Sequence, residues 1–203
     1  MIKLIAFDLW HTLVDRKIDY HTTTLIVKLL HPHLSQKKIR KLFENDLQTK
    51  PWKSEKAAFR KFARDLGDDK DETVALLMAL RDFADSKAEA YAYTLPLLKE
   101  LKKKYKLALV SNTSIFDIKY MENTAHILKF FDYKLLSYKT GLLKPDTAVF
   151  AKLLQVSKLK PEEVLMIGDK ISEDVTPAKT LGINAIHFKS AKQLKKDLDK
   201  LLT

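Results

Sequence analysis

Three short apolar runs in this chain each end abruptly at a polar residue, and no other feature constrains the fold more. The runs cover residues 2–7, 107–110 and 164–167, and they are followed by Asp8, by Ser111 and by Gly168 with Asp169. A continuous apolar run of roughly four to eight residues is typical of a strand buried on both faces, as in a parallel sheet. We therefore predict three buried parallel strands.

Two further strands are predicted near residues 133–137 and 185–188, and helical patterns separate the strands. Strands that alternate with helices indicate an α/β fold with a doubly wound parallel sheet. In such sheets the ligand binds outside the carboxyl ends of the strands. Because Asp8, Ser111 and Asp169 all follow strand ends, we predict that they meet at one edge of the sheet.

Residues 15–93 interrupt this alternation. Apolar residues recur there at helical spacing, as at Phe59, Phe62 and Leu66, and Pro32 and Pro51 mark boundaries between helices. We predict an inserted α-helical cap domain over residues 15–93. A Rossmann-like core would then consist of residues 1–14 and 94–203, closed by a lysine-rich amphipathic helix at the end of the chain.

Composition narrows the classes of function. The 203 residues include no cysteine, which excludes disulfides, thiolate metal sites and a cysteine nucleophile. No stretch reaches the ~18 apolar residues of a membrane span, and the first residues lack the pattern of a secretion signal. The net charge is +11, but a basic segment at 37–64 is followed by an acidic one at 65–89, unlike a nucleic-acid-binding arm. We expect a cytoplasmic monomer or homodimer that binds neither membrane nor nucleic acid.

Four polar clusters accompany the predicted strands. In chain order they are Phe7-Asp8-Leu9-Trp10-His11-Thr12-Leu13, Val110-Ser111-Asn112, Gly141-Leu142-Leu143-Lys144-Pro145-Asp146 and Gly168-Asp169-Lys170-Ile171-Ser172-Glu173-Asp174. This order resembles the four motifs of the haloacid dehalogenase superfamily. The resemblance covers the whole chain, and the long gap between the first two clusters fits the family's inserted helical cap.

The resemblance implies a hydrolase, and in particular a phosphatase that acts on a small phosphorylated metabolite. Asp8 would attack phosphorus and form an acyl phosphate, which divides the reaction into two easier steps. Ser111, Asn112 and Lys144 would bind the phosphoryl group, with Lys144 neutralising its charge. The implied cofactor is Mg²⁺, a hard cation that prefers oxygen ligands. Its implied ligands are the Asp8, Asp169 and Asp174 carboxylates and the backbone carbonyl of Trp10.

The chain departs from the family's phosphatase pattern at one position. Phosphatases of the family carry a second Asp two residues after the nucleophile as the general acid and base, and Trp10 stands there instead. His11, whose imidazole titrates near neutral pH, is the candidate replacement. Two alternatives remain open: a metal-independent 2-haloacid dehalogenase, and a weakly active or non-catalytic binding member of the family. The retained Gly168-Asp169 pair favours a phosphorylated substrate.

The third motif carries one local expectation. Lys144 precedes Pro145, and proline is favoured at the first position of a helix. We therefore expect a helix to begin at Pro145, so that Lys144 lies just before its first turn.

Overall fold

The computed structural model describes residues 1–18 and 20–202; Asp19, in the predicted insertion, and Thr203, in the predicted core, lie outside the described residues. Seven strands are found in this part of the chain. They are β1 (Leu4–Phe7), β2 (Val14–Arg16), β3 (Ala88–Ala90), β4 (Lys106–Ser111), β5 (Tyr133–Leu136), β6 (Val164–Gly168) and β7 (Asn184–His187).

Ten α-helices are found in the same part of the chain. They are α1 (Tyr20–Leu30), α2 (Gln36–Leu47), α3 (Glu55–Leu66), α4 (Asp71–Ser86), α5 (Thr94–Leu101), α6 (Ile115–Thr124), α7 (Ser137–Thr140), α8 (Ala148–Ser157), α9 (Thr176–Thr180) and α10 (Ala191–Leu202). None of them is long and apolar enough to cross a membrane.

A five-stranded sheet of order β5-β4-β1-β6-β7 forms the centre of the molecule, and all of its neighbouring strands run parallel. From β1 the chain first builds outward through β4 and β5, and it then returns to add β6 and β7 on the other side. This reversal puts β1 at the centre of the sheet, where ligands bind in open α/β sheets. The predicted doubly wound α/β fold is confirmed, with all five predicted strands in place.

Both faces of the sheet are covered at its three central strands, which explains why β1, β4 and β6 read as apolar runs. On β1, Ile5 and Phe7 belong to one buried cluster, with side chains of α5, α6 and α10. Leu4 and Ala6 belong to the opposite cluster, with side chains of α8 and α9. All four residues are fully buried, so no position on this strand tolerates a polar side chain.

Helices α1–α4 follow one another between β2 and β3, as the helical pattern predicts; we call residues 17–87 the helical insert. The antiparallel pair β2–β3 joins it to the sheet, with Val14 opposite Ala90 and Arg16 opposite Ala88. This ribbon was not predicted, because two three-residue strands carry too little alternation to be recognised.

The hydrophobic cluster of the helical insert is not built from its own helices alone. Phe59 and Phe62 of α3 pack with Val74 and Leu77 of α4, and Phe116 of α6 packs into the same cluster. The centroids of the Phe59 and Phe116 rings are 6.3 Å apart. The first turn of α6, which follows the loop after β4, is therefore held by the insert as well as by the sheet.

Two local expectations are corrected. The strand predicted near 133–137 ends at Leu136, because Ser137 begins α7. The helix expected at Pro145 begins at Ala148 instead. A short turn fills the gap, in which the Asp146 carboxylate accepts a hydrogen bond from the backbone N–H of Ala148 at 2.9 Å. Lys144 is consequently placed by a loop and not by a helix start.

Candidate active site

The predicted residues at the ends of β1, β4 and β6 do meet at one edge of the sheet. Asp8, Lys144, Asp169 and Asp174 line one small cavity of about 50 Å³ together with Trp10, His11, Asn112, Lys170 and Glu173. Ser111 ends β4, the neighbour of β1, and therefore lies at the same edge of the sheet, but it is not one of the residues that line the cavity. Asp8 itself is buried, and its backbone N–H donates to Ile167 O on β6 at 2.9 Å.

The ammonium group of Lys144 bridges two carboxylates at the centre of the cavity. Its Nζ lies 2.6 Å from Asp8 Oδ1 and 2.5 Å from Asp174 Oδ1. Burial alone would lower the pKa of Lys144, but the charges of Asp8 and Asp174 outweigh this and raise it. Lys144 is therefore a permanent cation here, because its protonated form is the one that the site stabilises.

The backbone of Lys144 is held by the loop that follows β4. Asn112 Nδ2 donates to Lys144 O at 2.8 Å, and the Lys144 N–H donates to Asn112 Oδ1 at the same distance. This reciprocal pair ties the second predicted motif to the third. The side chain of Asn112 thus binds the Lys144 backbone and also lines the cavity, and its role in substrate binding stays a prediction.

Asp8 has an unusual proton affinity. Burial raises its pKa to about 7; Lys144 opposes this shift, whereas Asp174 and Asp169 add to it. One ammonium group faces three carboxylates, so the ionised form of Asp8 is only partly compensated. A further cation near these oxygens would favour the ionised, nucleophilic carboxylate.

The Asp174 carboxylate is fixed from two sides. Oδ1 receives Lys144, and Oδ2 accepts the Lys170 N–H at 3.0 Å. The side chain folds back over Gly168, where a Cβ atom would lie 2.3 Å from Asp174 Cγ. Glycine is required at this position because only its bare backbone leaves room for the acid.

The carboxylates suit a hard divalent cation. Asp8, Asp169 and Asp174 each offer one oxygen, and these oxygens lie within 4.8 Å of one another. Within the described residues, no hydrogen bond to the Asp169 carboxylate is found, and burial followed by the charge of Asp174 raises its pKa. Such an oxygen set is what Mg²⁺ prefers, and the predicted ligands therefore fit the predicted ion.

Ser111 presents a hydroxyl that nothing in the fold explains. Its Oγ is buried and has no hydrogen-bond partner among the described residues. The residue does not cap the next helix, because Ser114 occupies the N-cap of α6 and accepts from the Asp117 N–H. A buried hydroxyl without a partner is costly unless a ligand satisfies it, so Ser111 is available to donate to a bound anion.

Trp10 and His11, the second and third residues after Asp8, differ in character. Trp10 has no titratable acid, and its ring stacks against the guanidinium of Arg16, with Arg16 Cζ 4.1 Å from the ring centroid. His11 is half-buried, adopts a left-handed backbone (φ 57°) and lines the cavity. Of the first motif's side chains, the His11 imidazole is thus the one at the cavity that can both donate and accept a proton.

Sequence reasoning missed a buried ionic junction beside this site. Arg16 Nη2 donates to Asp85 Oδ1 of α4 at 2.5 Å and to Asp117 Oδ1 of α6 at 2.8 Å. The sequence carries a signal for one part of the junction, because Ser114 and Asp117 have the spacing of a capping box at a helix start. The pairing with Arg16 had no sequence signal, because its partners are 69 and 101 residues away.

The comparisons with known proteins agree with this geometry. A family model for haloacid dehalogenase-like hydrolases matches residues 2–182, which include every predicted site residue. A glyceraldehyde 3-phosphate phosphatase of Pyrococcus furiosus is 36% identical over 70 residues, which are 34% of this chain and 29% of the relative. The chain therefore matches less than a third of that relative's length.

Solved structures resemble the entire chain. A HAD family enzyme of Bacteroides thetaiotaomicron, in complex with magnesium and inorganic phosphate, has a TM-score of 0.71 and 21% identity, covering 94% of this chain and 96% of that one. A 2-haloacid dehalogenase of Pseudomonas syringae has a TM-score of 0.64 and 20% identity, covering 98% and 99%. Both have the same fold, so the side chains of the site have to distinguish between the two chemistries.

Proposed function

The chain belongs to the haloacid dehalogenase-like hydrolase family, and on that premise we propose that it is a Mg²⁺-dependent phosphatase that hydrolyses small phosphate monoesters through a phosphorylated Asp8. The observation that carries the proposal is the buried Lys144 ammonium between Asp8 and Asp174. A nucleophilic carboxylate can approach a phosphate dianion only if fixed positive charge offsets the repulsion.

In the first step, an Asp8 carboxylate oxygen attacks phosphorus, the bond to the ester oxygen breaks, and the alcohol leaves. Lys144 keeps its proton throughout and neutralises charge on Asp8 and on the transferred group. Ser111 Oγ–H donates to a phosphoryl oxygen, which satisfies a hydroxyl without a partner in the described structure. Asp8, Asp169, Asp174 and the Trp10 carbonyl would hold Mg²⁺, which would supply further charge neutralisation at the phosphoryl group.

In the second step, water attacks the phosphorus of the acyl phosphate and regenerates Asp8. Both steps need a group that moves a proton, and the indole of Trp10 cannot do so. We assign that role to His11, which lines the cavity. His11→Gln should then slow the hydrolysis of alkyl phosphates more than that of aryl phosphates, whose leaving groups depart without a proton.

We also propose that residues 15–93 act as a cap over the site. Arg40 of α2 donates to Glu173 Oε1 at the cavity rim at 2.8 Å, so the helical insert reaches the site directly. The cavity of about 50 Å³ is smaller than the ~300 Å³ or more of a small-molecule site. Substrate entry therefore requires the cap to move, and closure afterwards excludes water.

A metal-independent haloacid dehalogenase is the competing activity within the same fold. The Asp8, Asp169 and Asp174 oxygens within 4.8 Å of one another argue for the phosphatase, because halide displacement needs no cation there. The substrate class that we propose is a small phosphorylated metabolite, with glyceraldehyde 3-phosphate as the first compound to test, since relatives carry that name.

The test is an assay of phosphate release from a panel of phosphate monoesters, with Mg²⁺ and with excess EDTA. We expect turnover with Mg²⁺, none with EDTA, and none in Asp8→Asn. Asp15→Asn is the matched control, because Asp15 lies on the β2–β3 ribbon outside the cavity. Halide release from 2-haloacids in EDTA, without any phosphatase activity, would contradict the proposal.

A further inference from the structure

Arg16 connects three parts of the molecule that meet next to the active site. It ends β2, and its guanidinium contacts the ring of Trp10, the carboxylate of Asp85 on α4 and the carboxylate of Asp117 on α6. The side chain of Arg16 is 10% exposed, and those of Asp85 and Asp117 are 1% and 2% exposed. The junction is therefore shielded from water, where ionic contacts hold their geometry well.

The contact with Asp117 reaches the loop that carries Ser111. Asp117 Oδ2 accepts from the Ser114 N–H at 3.0 Å and from Thr113 Oγ1 at 3.2 Å. Thr113 in turn receives the Ser137 hydroxyl on its carbonyl at 3.1 Å. This series of contacts from Arg16 through Asp117 thus ends at Thr113. Thr113 is two residues after Ser111, whose hydroxyl is available to a phosphoryl group.

The contact with Trp10 reaches the loop that carries Asp8. Trp10 is two residues after Asp8, and its stacking on Arg16 fixes one face of the indole. Its backbone forms an isolated bridge with Val14 on the same ribbon that ends in Arg16. A single guanidinium therefore touches the nucleophile loop directly and the Ser111 loop through one carboxylate.

Only arginine can make these contacts together. The planar guanidinium can stack on an aromatic face while its edge donates to carboxylates, whereas an ammonium is a compact point charge. Arg16 Nη2 alone serves both Asp85 and Asp117. A lysine here would preserve the charge of the junction but not the stacking and the bridge at once.

We infer that Arg16 is a positioning residue for the proposed phosphoryl transfer. Its guanidinium fixes the relative positions of the Asp8 loop, the Ser111 loop and the helical insert. The inference rests on the proposed function for its kinetic consequence, but the contacts themselves do not depend on it. Arg16 touches neither the substrate nor the proposed metal ligands' carboxylates, so its effect passes through Trp10 and Asp117.

The kinetic test compares Arg16→Lys with Arg81→Lys. Arg81 shares the Asp85 carboxylate, since its Nη1 donates to Asp85 Oδ2 at 2.9 Å. Among the described residues it contacts the Phe116 ring on α6, but neither Trp10 nor the Ser111 loop. We expect Arg16→Lys to lower kcat by about tenfold or more, because small misplacements of reacting groups are costly. Arg81→Lys should lower the melting temperature to a similar degree while kcat stays within about twofold.

A second measurement does not depend on turnover. Trp10 and Trp52 are the two tryptophans of the chain, so Trp52→Phe leaves Trp10 as the single tryptophan, whose emission can be excited apart from that of the tyrosines. In that background Arg16→Lys should change the Trp10 emission and weaken the binding of inorganic phosphate in the presence of Mg²⁺. Arg81→Lys should change neither.

Should Arg16→Lys fail to fold, Asp117→Asn tests the same link, because it keeps the shape of the side chain and removes its charge; kcat should again fall. Equal effects of the Arg16 and Arg81 substitutions on kcat and on phosphate binding would overturn the inference. A wild-type chain that binds phosphate but hydrolyses no ester would contradict the proposed function alone, and the fluorescence comparison would still decide the role of Arg16.

Discussion

Lys144 Nζ lies 2.6 Å from Oδ1 of Asp8, and both side chains are buried. Two chain segments 136 residues apart supply this pair, the loop after β1 and the loop before α8. A buried ion pair contributes little net stability over apolar residues, but it is costly to break because the remaining charge is uncompensated. The pair is therefore better explained by chemistry at Asp8 than by folding.

Replacement of Lys144 should harm both activity and stability. Lys144→Met leaves Asp8 and Asp174 buried without their cation, which we expect to lower the free energy of unfolding by about 3–5 kcal/mol in EDTA. Turnover should fall by at least about 10²-fold, the usual cost of one electrostatic contact to the transition state. Urea denaturation with and without Mg²⁺ gives the stability, and added Mg²⁺ should restore part of it. An unchanged urea midpoint in EDTA would contradict this reading.

The absence of an acid at Trp10 should appear in the leaving-group dependence. With His11 in place of the family's usual carboxylic acid, an aryl phosphate, whose phenolate leaves without a proton, should be hydrolysed much faster than an alkyl phosphate. Trp10→Asp should reduce the ratio of the aryl to the alkyl hydrolysis rate, because the new carboxyl restores part of the ~10²–10⁴-fold in rate that a general acid contributes. Trp10→Phe is the control, since it keeps an aromatic face for Arg16 but adds no acid. A ratio unaffected by Trp10→Asp would show that proton donation to the alcohol does not limit the hydrolysis of the alkyl phosphate.

The junction of the helical insert with α6 should make stability depend on pH. Burial and the charge of Asp117 raise the pKa of Asp85 from its ordinary 3.8 to about 6, although Arg16 and Arg81 oppose the shift. The folded state therefore keeps this proton over a pH range in which the unfolded chain has released it. The contribution of Asp85 to the free energy of unfolding should consequently fall as pH rises from about 4 to 6, and then level off.

The comparison of wild type with Asp85→Asn isolates this effect. The variant has no proton to release at that position, so its stability relative to wild type should rise by about 2–3 kcal/mol between pH 4 and pH 6. Asp117 does not obscure the result: Arg16 and Ser114 outweigh its burial and lower its pKa, which puts its titration below this window. Urea denaturation at fixed salt checks the prediction, and parallel pH curves for the two proteins would refute it.

The sheet and most of the site could be predicted because they depend on local patterns. Apolar runs next to Asp8, Ser111 and Asp169 define strand ends, and parallel strand ends necessarily meet at one edge. The pairing of Gly168 with Asp174 could also be predicted from the local sequence. The structure explains it, because the Asp174 side chain folds over the bare backbone of Gly168.

What could not be predicted depends on contacts between distant segments. The β2–β3 ribbon is too short to recognise, and Arg16 meets Asp117 only after the ribbon and α6 have been placed. The expectation that a helix begins at Pro145 was wrong for a local reason. A turn closed by the Asp146 carboxylate comes first, and α8 begins at Ala148. The division into a core and a cap at residues 15 and 93, together with the oligomeric state and the compartment, stays a prediction.

The most direct test of the account is to trap phosphate on Asp8. The enzyme is mixed with an aryl phosphate and Mg²⁺, quenched in acid within the first turnover, digested and analysed by mass spectrometry. Because His11 replaces the family's usual carboxylate base, hydrolysis of the acyl phosphate should be slow enough for it to accumulate. We predict one added phosphoryl group on the peptide that contains Asp8, labile to hydroxylamine and missing in Asp8→Asn. Phosphate release at the same rate from Asp8→Asn, or a phosphoryl group on any other residue, would contradict the account.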